Sequence, residues 1–401
     1  MKKKVLFVIN TLGHAGAEVA LLELFRQFPP EQYETFLYVL LEQGELIHKV
    51  PEYVTVLNTH YSDQSVLSKA GRSDMKKSVL RAFFRNGHLL QKAGYLFRNL
   101  SDMRKRGKVQ TDKLLWRVIS DGAQRLNDTY DLAVAYLEGG STYYVADHVQ
   151  AAKKAAFVHI DYENAGYTKL QDQDCYAAYQ KIFTVSDEVK EHFLAVYPQY
   201  RDRTHVFHNI VDQDKIRERA KEACGFTDDF DGIRLLTVGR LNYQKAYDIA
   251  ICAMKQLKEH GNRVRWYVLG EGECRAAMEK QIAELGLKED FILLGAVENP
   301  YPYYAQCDIY VHATRYEGKS IAIQEAQTLG CTIIASNCNG NREQIEPEVD
   351  GLLCELTPES ICAGIEEVLS DEEKRKRLGR AAGGKKFAYG EDLKLLQSLL
   401  Q

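Results

Sequence analysis

Two segments of the chain share one grammar, and that repetition constrains the fold more than any other feature. The first, "KVLFVINTLGHAGAEVALLELFRQF", and the second, "IRLLTVGRLNYQKAYDIAICAMKQLKEHG", each run from a short apolar strand through a glycine loop into an amphipathic helix. Parallel strands must be joined by crossover helices, and their ligand-facing loops lie at the strands' carboxyl ends, so two such openings predict two doubly wound α/β units. Strand patterns "TFLYVLLE", "VTVLNT", "LAVAYLE", "KAAFVHI", "KIFTVS" and "THVFHN" follow the first opening; "VRWYVLGEG", "FILLGAV", "DIYVHAT", "CTIIAS" and "GLLCEL" follow the second. Helical patterns alternate with them in both halves. A chain of 401 residues is too long for one ordinary core and suits two. The polar stretch from Gln213 to Phe230 has no strand pattern, so the expected division is 1–212 and 213–380, with 381–401 a C-terminal helix returning to the first domain.

Charge and cysteine content narrow the class. The net charge of −4 supplies no global field toward nucleic acid. Nine cysteines, an odd number without a CxxC pair, read as buried thiols of a reducing compartment, and no zinc site is expected. "MKKKVLFVIN" imitates a secretion signal, but its apolar run is too short, and no stretch approaches the roughly 20 apolar residues of a membrane-spanning helix. A cytoplasmic protein is expected. Residues 60–117 differ from the rest: fourteen Lys and Arg against four Asp give a local net charge of +10, interleaved with Leu80, Phe83, Phe84, Leu89, Leu90, Tyr95, Leu96, Phe97 and Trp116. A basic, amphipathic insertion of this kind can lie peripherally on an anionic membrane surface; a pair of packed helices with a solvated charged face is the other reading.

Three loops carry the chemistry. In "TVGRLNYQKAYD" a strand ends at Gly239, where backbone can approach a ligand closely, and Arg240 and Lys245 follow with cations suited to phosphate oxygens. In "VLGEGECRAAMEKQI", Gly270 and Gly272 separate a strand from a helix and leave room for a nucleotide or sugar; a tight turn capped by Glu271 is the plainer account. In "RYEGKSIAIQEAQTLG" a helix is expected from Ser320, its N-cap, to Gly330. Amides and dipole at such a start favour a diphosphate. Glu317, just before it, fits only if it bonds neutral hydroxyls, while Glu325, inside the helix, suits paired ribose hydroxyls. The alternatives are that Glu317 caps the turn and that Glu325 pairs with a cation.

In this order, "VGRL" with its lysine, "LGEGECRAAME", "FILLGAVENPYPYYAQCDIYVHATRYEG", "EAQTLGCTIIAS" and "NREQI…VDGLLCE" resemble the retaining glycosyltransferases of family 4, whose E-x7-E pattern spans Glu317 and Glu325. The resemblance covers residues 205–370 well and the N-terminal half loosely. It implies the GT-B fold, two facing Rossmann-like α/β/α domains with an interdomain cleft, the first binding the acceptor and the second a nucleotide-sugar, UDP-linked. Arg240 and Lys245 would neutralise the donor diphosphate in place of a metal. Glu317 would hold sugar hydroxyls, with amides of Gly318, Lys319, Ser320 and Ile321 on sugar and phosphate. Glu325 would bind ribose, and backbone around Val297 the base. "TLGHAGAE" would place Gly13 and Gly16 beside donor phosphate and acceptor, and His159 of "FVHID" near the reacting carbon.

The implied activity is retaining sugar transfer from a nucleotide-sugar to a glycan or lipid-linked glycan in cell-surface polysaccharide assembly, without metal or other cofactor. A nucleotide-sugar epimerase on the same scaffold and a non-catalytic partner subunit are the alternatives. Lys319 and Ser320 stand where many relatives have Phe-Pro or Leu-Pro, and Ala15 replaces a usual glycine. Two further strings, "DQD" at Asp172–Asp174 and at Asp212–Asp214, are expected to be chance acids and not a metal-nucleotide motif.

Overall fold

The computed structural model describes residues 2–13, 15–66, 68–106, 111–162 and 165–401; His14 of the first glycine loop and Lys108 of the basic segment lie outside them. The described residues form two compact units, Met1–Ile210 with Ala388–Gln401, and Val211–Phe387.

In the first unit, β1 (Lys3–Ile9), β2 (Tyr33–Val39), β3 (Val54–Val56), β4 (Thr129–Ala135), β5 (Gln150–Val158), β6 (Lys181–Thr184) and β7 (Thr204–Val206) form one sheet in the order β3-β2-β1-β4-β5-β6-β7. Every pairing is parallel. Val5 to Ile9 are fully buried, as a parallel strand covered by helices on both faces requires. The helix Gly390–Gln397 closes this unit: Leu396 and Leu400 join the core containing Phe7, Leu21 and Phe25, and Asp392 accepts from the His208 amide at 2.9 Å.

The second unit holds β8 (Ile233–Val238), β9 (Val264–Leu269), β10 (Phe291–Gly295), β11 (Ile309–His312), β12 (Thr332–Ser336) and β13 (Leu352–Cys354), ordered β10-β9-β8-β11-β12-β13 and again all parallel. Both sheets wind outward in one direction and then the other from their first strand, the Rossmann arrangement, with a switch point between first and fourth strands. The expected segment 381–401 is divided. The helix Glu372–Gly383 runs through its beginning, and Gln213 Nε2 donates to the Lys385 carbonyl at 3.0 Å, so the chain stays on the second unit until Phe387.

The basic segment is not a pair of helices. It forms Lys69–Phe84, Leu89–Lys105 and Thr111–Gly122, the last extending beyond residue 117 because Leu114, Val118 and Ile119 bury one face. Two of its cations are structural. Lys92 is 2% exposed and donates to the carbonyls of Ala82, Phe83 and Arg85, completing the end of the preceding helix. Arg117 pairs with Asp147 and donates to the Asp172 carbonyl at 2.6 Å.

Neither "DQD" is idle. Asp212 caps the helix Gln213–Arg219 by accepting from the Lys215 amide at 3.0 Å. Asp172 is fully buried, and its carboxyl accepts 2.6 Å hydrogen bonds from the hydroxyls of Tyr143, Tyr162 and Tyr197. Burial pushes its pKa up, while the three hydroxyls oppose that shift. Removing the carboxyl strands three buried donors, each costing about 1–3 kcal/mol. Asp172→Ala should therefore destabilise the first unit by about 4 kcal/mol, read in urea unfolding followed by Trp116 fluorescence in a Trp266→Phe background.

Candidate active site

In the second unit the loops after β8 and β11 open at the switch point, and close backbone contact binds them together. Gly270 has φ +151°, and a Cβ there would stand 1.9 Å from the Gly239 carbonyl oxygen; one on Gly272 would stand 2.3 Å from that of Leu241. The loop following β9 is thus layered directly on that following β8, with Leu241 N donating to Glu271 O at 2.9 Å. Across the switch point, Arg315 N donates to Gln244 O at 2.8 Å and Gln244 Nε2 to Tyr316 O at 2.8 Å. The Arg315 guanidinium lies 4.0 Å from the Tyr243 ring centroid and donates to Asp248 at 2.7 Å.

Within this frame the sequence-derived residues separate into two groups. Lys245, Glu317 and the helix Ile321–Thr328 come together. Lys245 Nζ bonds Glu317 Oε2, and its aliphatic stem runs beside Gly239, where a Cβ would stand 3.4 Å from Lys245 Cε. Arg240 is exposed and, among the described residues, takes part in no ion pair. Val297 is half-buried beyond the end of β10.

Glu317 does not stand open to hydroxyls in this structure. Besides Lys245 it faces His312 Nε2 at 3.3 Å, and His312 Nδ1 meets the Tyr310 hydroxyl at 3.0 Å. Burial alone would raise the Glu317 pKa, but the Lys245 charge and the His312 bond outweigh it and hold the carboxyl near 2. Burial, aided by the Lys245 charge, pushes His312 down to about 4, so the ring is neutral at physiological pH. A neutral ring carries one proton: on Nε2 it would donate to Glu317 while Nδ1 accepts from the Tyr310 hydroxyl, and on Nδ1 it would leave Nε2 to accept from Lys245. His312 and Tyr310 escaped sequence reasoning. Their only signal is alternation: two polar-tipped residues on one face of a buried strand.

Ser320 occupies the N-cap position, but its side chain makes no capping bond. Gln344 does that work, its Oε1 accepting from the Ser320 amide at 2.7 Å and its Nε2 donating to the Ser320 carbonyl at 2.9 Å. Of the four amides expected to reach a ligand, that of Ser320 is therefore already engaged. The neighbouring helix Asn339–Arg342 approaches through Gly340, where a Cβ would lie 2.1 Å from the Gly318 carbonyl oxygen. Glu271 does not cap the turn at Gly270; it pairs with Arg275 at 2.6 Å. Glu325 forms no direct ion pair among the described residues, though the Arg219 charge acts on it from a distance. It accepts from the Tyr304 hydroxyl at 3.2 Å, and burial drives its pKa up to about 7 against that bond and one from Tyr301.

The other sequence-derived residues belong to the first unit. Gly16 opens the helix Gly16–Phe25, behind Ala15 at the N-cap, and Gly13 precedes it in the loop after β1. Asn10 spans this sheet's switch point, accepting from the Ser141 amide at 2.7 Å and donating to the Glu138 carbonyl at 3.0 Å. His159 follows β5. Its amide donates to Glu138 Oε2 at 2.9 Å, burial lowers its ring to about 3, and its Nε2 is buried without a partner among the described residues.

Residues 228–384 match the family model "Glycosyl transferases group 1". A Campylobacter jejuni N-acetylgalactosamine-N,N'-diacetylbacillosaminyl-diphospho-undecaprenol 4-alpha-N-acetylgalactosaminyltransferase is 32% identical over 173 residues, 43% of this chain and 46% of that protein. The amylovoran biosynthesis glycosyltransferase AmsD of Erwinia amylovora is 26% identical over 161 residues, 40% of this chain and 45% of its own. The chain thus spans about half the length of the curated relatives it matches. Among solved structures, Anabaena Alr3699/HepE with UDP and glucose superposes at a TM-score of 0.68, with 16% identity and 99% of both chains covered. TarM superposes at 0.67 with 12% identity, covering 100% of this chain and 99% of that one. The fold is GT-B.

The two glutamates titrate on opposite sides of the normal carboxyl value, and Glu325 provides a test. Its folded pKa of about 7 lies above an unfolded value near 4.5, so the folded state binds the proton more tightly. The second unit should then lose about 3 kcal/mol as pH rises from 4.5 to 7, a loss absent below that window. In Glu325→Gln that slope should vanish, measured by denaturant unfolding with Trp266 as the buried reporter of this unit.

Proposed function

We propose that the chain is a glycosyltransferase that takes a sugar from a nucleotide donor, UDP-linked, and passes it with retention to a glycan or lipid-linked glycan in cell-surface polysaccharide assembly. The observation that carries this reading is the meeting of Lys245, Glu317 and a helix mouth at the second sheet's switch point, with Glu325 one helical stretch further on. Breaking the bond between a sugar and a diphosphate builds negative charge on the leaving group. Preorganised cations and helix amides stabilise that charge, ordinarily the largest catalytic contribution. Lys245 and Arg240 supply the cations, Gly239 lets the phosphates approach the backbone, and amides at Gly318, Lys319 and Ile321 complete the anion site.

Glu317 bonds the sugar's hydroxyls. Glu325, near its titration midpoint at neutral pH, meets paired ribose hydroxyls as donor or acceptor. The base lies against the backbone around Val297, over the turn at Gly270. His159, neutral and with an Nε2 that has no partner among the described residues, accepts from a substrate hydroxyl, with Gly13 and Gly16 leaving room beside it. No residue acts as a dedicated base, since the departing phosphate takes the acceptor's proton in same-face transfer. No metal is required in this reading. Among the described residues, the two side-chain groups that could hold one are His260–Cys362–Glu366 and Asp121–Asp147–His148, and neither includes a residue assigned to the donor.

A thermal-shift series with UDP, GDP, ADP and their sugars tests the donor. UDP should raise the melting temperature, and Arg240→Ala and Glu325→Ala should each weaken UDP binding by about tenfold, the loss of one charged or two hydroxyl contacts. Binding indifferent to both substitutions defeats the assignment.

The acceptor side joins to the basic segment. Leu80, Phe84, Leu89, Leu90 and Phe97 are exposed on the helices Lys69–Phe84 and Leu89–Lys105, Leu90 by 90% and Phe97 by 76%. Phe97 and Leu100 line a surface depression with Arg104 and Lys105. Exposed apolar side chains among cations suit an anionic membrane surface, where a lipid-linked acceptor resides. No helix among the described residues is long and apolar enough to cross a membrane. The protein should co-sediment with phosphatidylglycerol vesicles and not with phosphatidylcholine vesicles, and Leu90→Asp with Phe97→Asp should weaken that binding at least about tenfold. Equal partitioning to both vesicle types defeats the membrane reading.

A further inference from the structure

In this structure the Lys245 ammonium is engaged by Glu317, so a diphosphate drawn to the same charge must share it with that carboxylate or displace it. Its Nζ bonds Glu317 Oε2 and lies 3.4 Å from His312 Nε2, while Glu317 Oε2 lies 3.3 Å from that same ring nitrogen. These three atoms form a triangle, and its corners differ in mobility. Lys245 ends the short turn Tyr243–Lys245 and carries its charge on a four-carbon stem that passes Gly239, which has no side chain, and its own side chain is 14% exposed. His312 is the last residue of β11, 1% exposed, and its far nitrogen is fixed by the Tyr310 hydroxyl at 3.0 Å. The lysine's stem offers four rotatable bonds by which its ammonium can change partners, whereas the imidazole meets a partner at each nitrogen.

We propose that Lys245 exchanges Glu317 for the donor's diphosphate, and that His312, braced by Tyr310, is the positioning residue that keeps Glu317 in place through the exchange. The inference rests on the donor-site reading above and adds a partner change and a residue to it. Glu317 competes with the diphosphate for one ammonium, so it opposes nucleotide binding while serving sugar binding. Once Lys245 has turned away, His312 in its Nε2–H tautomer still donates to Oε2 and leaves Oε1 for a sugar hydroxyl. Without that bond the buried carboxylate would be left without a fixed donor and would follow the lysine toward solvent.

The competition makes an unusual expectation: a substitution in the site should improve nucleotide affinity. Calorimetric titration of the full chain with UDP and with UDP-glucose, on the wild type, Glu317→Gln, His312→Gln and His312→Leu, provides the test. Glu317→Gln should bind UDP about threefold to tenfold more tightly than wild type, since the lysine is released and a repelling charge removed. His312→Leu should hold UDP within about threefold of wild type yet lose about tenfold in the rate of UDP-glucose hydrolysis, and His312→Gln, whose amide Nε2–H can replace the ring's, should recover most of it. UDP binding to Glu317→Gln that is unchanged or weaker overturns the exchange. Equal losses in His312→Leu and His312→Gln overturn the positioning role. If His312→Leu does not fold, the comparison of His312→Gln with wild type decides, a tenfold loss counting against the proposal. A wild type that binds no nucleotide defeats the donor-site reading beneath it; a wild type that binds UDP while Glu317→Gln fails to tighten defeats the exchange alone.

Discussion

Backbone packed on backbone at the ends of β8, β9 and β11 is the constraint on which the second unit's site depends. The turn at Gly270 touches the Gly239 carbonyl, Gly272 touches that of Leu241, and Gly340 touches that of Gly318, at separations where no Cβ fits. Each contact fixes a loop by its main chain, which leaves side chains free to point outward from a surface that cannot shift. A doubly wound sheet parts its loops only where the strand order reverses, between β8 and β11 here. Gln244 and Arg315 then stitch the parted loops together across that gap. Lys245 and Glu317, 72 residues apart in sequence, meet because both loops have been fixed in this way.

The same side-chain type does opposite work on either end of eight residues. Glu317, beside an ammonium and an imidazole, is held near 2 and offers only acceptor oxygens. Glu325, buried with tyrosine hydroxyls as its partners, rises to about 7 and can present an O–H as well. The difference is set by neighbours from other elements: β11 and the turn after β8 for Glu317, the helix Tyr301–Gln306 for Glu325. A sugar hydroxyl facing a permanently ionised acceptor must donate to it. A ribose pair facing a carboxyl near its midpoint is not so restricted.

Much of this architecture is legible in the sequence because it is periodic. Apolar runs such as "VLFVI" and "TIIAS" are buried strands, and the glycines at their ends mark where backbones must approach. Lys245 and Glu317 are legible as charges beside predicted loops. His312 and Tyr310 are not, because a polar residue inside an apolar strand looks the same whether it is bonded across the fold or merely tolerated; Gln344 and Asp172 sit in polar runs, where nothing distinguishes a side chain bonded inside the fold from a solvated one. Gln344 replaces the cap that Ser320 seemed to offer, a substitution visible only once residues 24 positions apart are neighbours. Charge counting misleads for a related reason. Lys92 and Arg117 contribute to the +10 of residues 60–117, yet both are themselves buried and spent on backbone carbonyls and, for Arg117, the Asp147 carboxylate.

The first unit shows that topology alone does not set the chemistry of a switch point. Its sheet reverses between β1 and β4 by the same rule, but the residues there are Asn10, Glu138 and, one strand further, His159. Asn10, at the end of β1, uses its amide to bind the segment after β4 at two points, so the neutral side chain does structurally what Gln244 does in the second unit. Burial raises the Glu138 carboxyl and lowers the His159 ring, pushing both toward their uncharged forms. Glu18 and Lys113 still bring charge close by, and among the described residues the His159 Nε2 is a buried polar atom without a partner. Two units built on one strand order therefore differ in the chemistry at the reversal: one places a lysine and a low-pKa glutamate there, and the other places an acid and an imidazole that burial pushes toward neutrality.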